Sequence, residues 1–260
     1  MKKNVIVMIL TAVVFLSSVF LGFSTVYRID VVWLDPITIS AESTEEVTAM
    51  HEKLAKAYDK KSYFSVNDKT AKRVLKEFPY FRLTGFEKTA PNRIIIKVKE
   101  DEEVYAVPMS ESNLFYILGE EGSVLGIRDS YENRLDGENN VLLKGFSVVG
   151  NRGEELSGDS LYPAVLEFCK RLSKELGGIR RNVLEVEVLK MTETIVRVSM
   201  REGVKIYIGN VTSIPKEKAV KAAEKYLQLG EEQRLTGRIL VSDSAGKLIV
   251  NYSQKDMFEF

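Results

Sequence analysis

One cysteine and one histidine in 260 residues withdraw most site chemistries before any motif is sought. A single cysteine excludes an internal disulfide, so folding must rest on core size and strand pairing. Cys169 stands among Leu161, Val165, Phe168, Leu172 and Leu176 at helical spacing, which puts it on a buried face as a small apolar residue. His51 lies beside Met50 and Leu54 in another helical pattern and reads as a boundary residue rather than a catalyst. A metal site of histidine and cysteine would need partners that the chain does not have, and a Ser-His-Asp arrangement would depend on that one histidine. A Gly-rich phosphate loop is missing too, since Gly119, Gly122 and Gly126 fall in a hairpin with the wrong spacing and flanks. Paired carboxylates remain formally open, because 37 acidic residues always offer pairs, but no cue selects one. The expectation is a protein that is not an enzyme, with no cofactor and no small-molecule substrate.

Excess charge of either sign is also lacking, with 37 Lys and Arg against 37 Asp and Glu. Beyond Lys2 and Lys3 the balance is 35 to 37, so no nucleic acid or other polyanion is implied as a partner. Basic pairs such as Arg180-Arg181 sit among acids and read as solvated surface. Internal repeats and low-complexity segments are absent. At 45% hydrophobic residues the chain can still bury one large or two ordinary cores.

What the chain does have is an uncharged run over 5–23 behind Lys2 and Lys3. As a helix it would measure roughly 28 Å, close to the ~30 Å hydrocarbon core, and its polar residues are only Thr11, Ser17 and Ser18. The positive-inside rule keeps residues 1–4 as a short cytoplasmic tail and sends everything after Phe23 across the membrane. The reading is a single-pass anchor in the cell membrane with extracytoplasmic domains. A cleaved secretory signal is the alternative, but the run exceeds a signal core and no Ala-x-Ala site follows it. Either outcome exports the same ectodomain.

Residues 24–101 read as strand, helix, helix, strand, strand. Tyr27, Ile29, Val31 and Trp33 alternate onto one face before Pro36. Ser43 and Glu46 suggest a capping box ahead of the stripe Val47, Met50, Leu54, Tyr58. Asn67 or Asp68 can cap a second helix with Ala71, Val74, Leu75 and Phe78 inward, stopped by Pro79. Phe81 and Leu83 then alternate, Pro91-Asn92 turns the chain, and Ile94, Ile96 and Val98 oppose Lys97 and Lys99. Asp101-Glu102-Glu103 reads as a connector between domains.

Residues 102–254 read as a mostly antiparallel β-rich domain with helices, so the whole is an α+β fold. Strands are expected at 104–107, 114–118, 123–127 and 141–144, with a polar surface loop over 129–140. A helix over 161–176 precedes strands at 183–189, 194–200 and 204–208, whose alternation suits antiparallel pairing. Pro215 opens a helix with Ala219, Ala223, Tyr226 and Leu227 inward, and Gly230 ends it. The last hairpin joins 238–241 to 247–253 through 242–246, and 255–260 is a C-terminal tail.

The anchor, the strand-helix-helix-strand-strand unit, KEFPY over 76–80 and TAPNRIIIKVKE over 89–100 together resemble the FtsQ/DivIB family of bacterial cell-division proteins. The likeness continues in FYILGEEGSVL over 115–125, LLKGF over 142–146 and VKIYIG over 204–209 before a Lys-rich helix. It covers nearly the whole chain and lies in the order and spacing of motifs, none of which is strong alone. The short tail departs from many members, and Leu34-Asp35-Pro36 lacks the glycine often found there in POTRA domains.

The resemblance implies a POTRA-like domain followed by a β domain, and a non-enzymatic scaffold of the divisome that docks other division proteins during septum formation. Its implied partners are the bitopic coiled-coil proteins of the DivIC/FtsB and FtsL type. The expected docking surface is the last strand, Leu248, Ile249, Val250, Asn251 and Tyr252, because no later element except the tail is available to cover it and an uncovered edge offers backbone donors and acceptors. The competing reading is that these five residues fill the core of the second domain. A POTRA-type module assisting membrane-protein transport or assembly, or an anchored cell-wall hydrolase, is the alternative function.

Overall fold

The computed structural model describes residues 2–22, 28–33, 41–89, 92–190, 194–244 and 247–254. The fold is α+β, with six helices and two sheets among the described residues, and the chain divides into compact units at Asp101/Glu102. The turn at Leu34, the turn at Pro91 and the tail 255–260 fall outside the described residues.

Helix α1 runs Lys2–Gly22, so the residues expected as a free tail are already helical from Lys2. Every described side chain of this helix, 5–19, is exposed on all sides, Phe15 at 66% and Leu16 at 65%. Its three hydroxyls fold back on the preceding turn: Thr11 donates to the Val7 carbonyl at 2.9 Å, Ser17 to Val13 at 2.7 Å and Ser18 to Val14 at 2.8 Å. Among the described residues no helix is long and apolar enough to cross a membrane. The part of α1 with described side chains, 5–19, falls short of the ~17 to 25 residues that a span takes.

The rest of the first unit follows the order β1 (Arg28–Trp33), α2 (Ala41–Tyr58), α3 (Asp68–Leu75), β2 (Phe81–Thr89), β3 (Arg93–Glu100). Strand β3 is central, parallel to β1 and antiparallel to β2. Alternation puts Ile94, Ile96 and Val98 wholly inside against Met50, Leu54, Ala71, Val74 and Leu75 from the helices. At ~1.5–3 kcal/mol per buried aliphatic side chain, this face dominates the unit's stability. Tyr58 joins the two helices, its hydroxyl donating to the Asn67 carbonyl at 2.8 Å and accepting the Ala71 N–H at 2.9 Å. Burial raises this phenol to about 12, so it stays neutral. Asn67 is the cap of α3, its side-chain oxygen accepting from the Lys69 N–H at 3.0 Å. Helix α2 starts at Ala41, which makes Ser43 its third residue instead of the expected cap. Helix α3 ends at Leu75, and Phe78 is buried from the turn beyond it.

The second unit runs β4 (Glu103–Pro108), β5 (Phe115–Gly119), β6 (Val124–Arg128), β7 (Val141–Lys144), α4 (Tyr162–Leu176), β8 (Val183–Lys190), β9 (Thr194–Met200), β10 (Lys205–Gly209), α5 (Pro215–Leu227), α6 (Glu231–Leu235), β11 (Arg238–Ser244) and β12 (Lys247–Ser253). These strands form one sheet in the order β12-β11-β10-β9-β8-β7-β4-β5-β6. The sheet is mixed, mostly antiparallel as expected, with β4/β7, β7/β8 and β10/β11 paired in parallel. Two of those joints are helical crossovers, through α4 and through α5 with α6, because a tight turn cannot connect parallel neighbours. Helices α4 and α5 contribute Phe168, Cys169, Leu172, Ala219, Ala222 and Ala223 to a core against Val186, Val198, Ile206 and Val241 of the strands.

Several local expectations change. The loop 129–140 is not only surface, since Asn133 and Asn140 are buried and Asn133 donates to the Glu103 carbonyl at 2.8 Å. The connector expected at Asp101-Glu102-Glu103 falls where the chain divides into its two units, and its outer acids are buried, Asp101 paired with Arg82 at 3.3 Å and Glu103 with Arg128 at 2.7 Å. Leu227 is 54% exposed, and Lys218 and Ala222 occupy the inward stripe of α5 instead. Helix α5 ends at Leu227 with Gln228 as its cap, so Gly230 does not close it as expected but caps the start of α6, a helix the periodicity does not announce.

Candidate functional site

Strand β12 pairs with β11 from Ser244↔Lys247 to Arg238↔Ser253, and among the described residues no strand pairs with its other side. The opposite edge of the same sheet is treated differently. There the loop after β7 lies along β6: the Val124 N–H donates to the Glu154 carbonyl at 2.8 Å, the Val124 carbonyl accepts from the Gly153 N–H at 2.8 Å, and Arg152 reaches the Leu125 carbonyl at 3.3 Å. One edge is thus blocked by its own chain, as edge strands commonly are, and the other has no described strand beside it.

Five sequence-selected residues, Leu248, Ile249, Val250, Asn251 and Tyr252, all lie on this edge strand. They divide by alternation. Leu248, Val250 and Tyr252 are half-buried, with Val250 and Tyr252 packed on the core, whereas Ile249 and Asn251 are exposed on the other face, Ile249 at 41%. The core reading therefore holds for Val250 and Tyr252, while Ile249 and Asn251 face away from the core. Tyr252 also anchors the strand, its hydroxyl lying 3.3 Å from the Gln233 carbonyl and 3.4 Å from that of Thr236. Gly237, at φ +89°, lets the chain turn beneath it; a Cβ there would meet the Ser253 carbonyl at 2.6 Å.

The hairpin is held near its turn by a group outside the expected site residues. Lys218 on α5 is 0% exposed, and its ammonium donates to the carbonyls of Gly209 at 2.9 Å and Asn210 at 2.6 Å and to Asp243 Oδ1 at 2.7 Å. Ser213 donates to the other oxygen of Asp243 at 3.0 Å. Hydrogen bonds from Lys218 and then Ser213 hold the Asp243 carboxyl below its ordinary range. This demand also explains why Ser242, Asp243 and Ser244 extend β11 instead of forming the expected five-residue turn. The available signal was a lysine at a position of α5 in phase with Ala222, where periodicity calls for an apolar residue.

Elsewhere the reactive side chains are muted. Cys169 is buried, and burial pushes its thiol up to about 12, so thiolate chemistry is closed to it at neutral pH. Burial lowers the pKa of His51, which keeps the imidazole neutral. Among the described residues no three His, Cys, Asp or Glu side chains come together in a way that could hold a metal ion. On the open face of the sheet, Lys144, Glu185, Arg197 and Glu187 pair with one another and leave no uncompensated charge. No family model matches the chain, and no curated protein matches it.

Proposed function

We propose that this protein is a bitopic membrane scaffold of the septal machinery in a dividing bacterium, and that it docks division proteins of the DivIC/FtsB and FtsL type through the outer edge of β12. The observation that carries the reading is the contrast between the two edges of one sheet, β6 blocked by its own loop and β12 with no described cover. A partner segment laid beside β12 would take up its outward backbone groups, and Ile249 and Asn251 would meet the partner's side chains. The FtsQ/DivIB-like order of motifs supports the choice of partner, and the strand-helix-helix-strand-strand order of the first unit supports a POTRA-like domain.

The anchor belongs to the same proposal. The described side chains of helix α1, 5–19, are exposed, and each of its three hydroxyls turns back onto a backbone carbonyl, the arrangement a lipid environment demands. With the basic pair Lys2-Lys3 at its start, it would place both units outside the cytoplasm. The scaffold acts by contact and not by turnover.

The test is partner capture by the full chain from membrane extract. Wild type is expected to recover coiled-coil division proteins, and Ile249→Lys to lose them while keeping its thermal unfolding transition, since the side chain is exposed. Undiminished capture by the variant contradicts docking at this edge. Release of fragments from purified peptidoglycan would replace the scaffold by a hydrolase.

A further inference from the structure

We infer that the turn joining α2 to α3 in the first unit is a docking face for an anionic phospholipid surface. Beside this turn lies a cleft of about 400 Å3, between the end of α2 and the start of α3. Its wall carries three cations, Lys56, Lys61 and Arg73, with the hydroxyls of Ser65 and Thr70 and no carboxylate. Asp59 is close in sequence but does not line it. Neighbouring cations are compensated, Lys53 by Glu77 and Lys72 by Asp68 at 2.6 Å, whereas among the described residues Lys56, Lys61 and Arg73 have no ion-pair partner. All three are exposed. Three uncompensated cations around one cleft suit a phosphate group, which takes charge-assisted hydrogen bonds from such donors, while the Ser65 hydroxyl is already donated to the Ser62 carbonyl at 3.0 Å.

The same turn presents Phe64, 58% exposed, between Tyr63 and Ser65. Its backbone is held in place by Lys88, whose ammonium donates to the carbonyls of Tyr63 at 3.1 Å and Phe64 at 3.4 Å and lies 5.7 Å from the centre of the Tyr63 ring. A free phosphate gives an exposed phenylalanine nothing to do. A bilayer surface uses both features, the headgroup phosphate in the cationic cleft and the aromatic ring at the acyl boundary. Each cation near an anionic surface multiplies binding by roughly fivefold, so three together supply on the order of 100-fold.

The inference depends on the proposed anchor only for proximity and is independent of the β12 edge. The full chain, with Phe64 replaced by the photoreactive p-benzoylphenylalanine, is reconstituted into nanodiscs of phosphatidylcholine with or without phosphatidylglycerol. Lipid crosslinks are expected in the phosphatidylglycerol discs, weakened by ~1 M salt, at which screening shortens to ~3 Å. They are expected to fall by up to about 100-fold when Lys56→Gln, Lys61→Gln and Arg73→Gln are combined, each alone costing about fivefold. Equal crosslinking in both lipids, none in either, or crosslinks to a second protein copy would overturn the inference. Binding of inorganic phosphate without any lipid crosslink would also overturn it, in favour of a soluble anion site. Failure of the anchor reads out separately, as a chain that does not co-purify with the discs. Sedimentation with phosphatidylglycerol vesicles then scores the same three substitutions, and a chain that stays in the supernatant refutes the lipid face.

Discussion

A fully buried ammonium is tolerable only where each N–H finds an acceptor, and Lys218 meets that condition with two backbone carbonyls and Asp243. Removing the side chain leaves those acceptors without their donor, so Lys218→Ala is expected to cost about 1–3 kcal/mol in urea unfolding; a loss under ~0.5 kcal/mol would contradict the clasp. Asp243 is held below its ordinary value of 3.8 by Lys218 and Ser213. A carboxyl whose folded pKa is lowered stabilises the fold above its unfolded value and loses that contribution as pH falls through the folded one. Asp243→Asn should therefore lose less stability than wild type as pH drops below about 4. Superimposable acid limbs in the two proteins would show that the carboxyl has no such role. Periodicity alone put Leu227 inside and passed over Lys218, because it weighs polarity and not the satisfaction of a specific donor by three acceptors.

Elements with strong internal periodicity were legible in the sequence. The stripe on α3 is an example, with Ala71, Val74 and Leu75 all buried. Leu75→Ala is expected to destabilise the first unit by ~2–5 kcal/mol through the cavity it leaves, measured by chemical denaturation, and a change below ~0.5 kcal/mol would mean that the stripe is not core. The β8–β9–β10 meander was legible for the same reason, since Val186, Val188, Val196, Val198, Ile206 and Ile208 alternate inward. Pairing order was not. That β7 lies parallel between β4 and β8 depends on its pairing with β4, Tyr105↔Val141, a contact distant in sequence. The short helix α6 lacks any buried residue, so no stripe announced it.

Of the candidate site, the strand itself could be read from the chain, but its place at the edge of the sheet could not. Whether Lys247–Ser253 is covered depends on every other strand, and only the sheet order sets it at an edge while the 151–155 loop closes the far side. The molecule thus combines an apolar helix with exposed side chains, a compact first unit and a second unit whose sheet has one blocked edge and one without described cover. The most direct measurement of the docking claim is hydrogen exchange along β12 in the full chain, with and without a DivIC/FtsB-type partner. Slowed exchange confined to the outward amides of 247–253 is expected on adding the partner, with the β6 edge unchanged. If the partner binds and the β12 amides exchange as fast as before, strand addition at this edge is wrong.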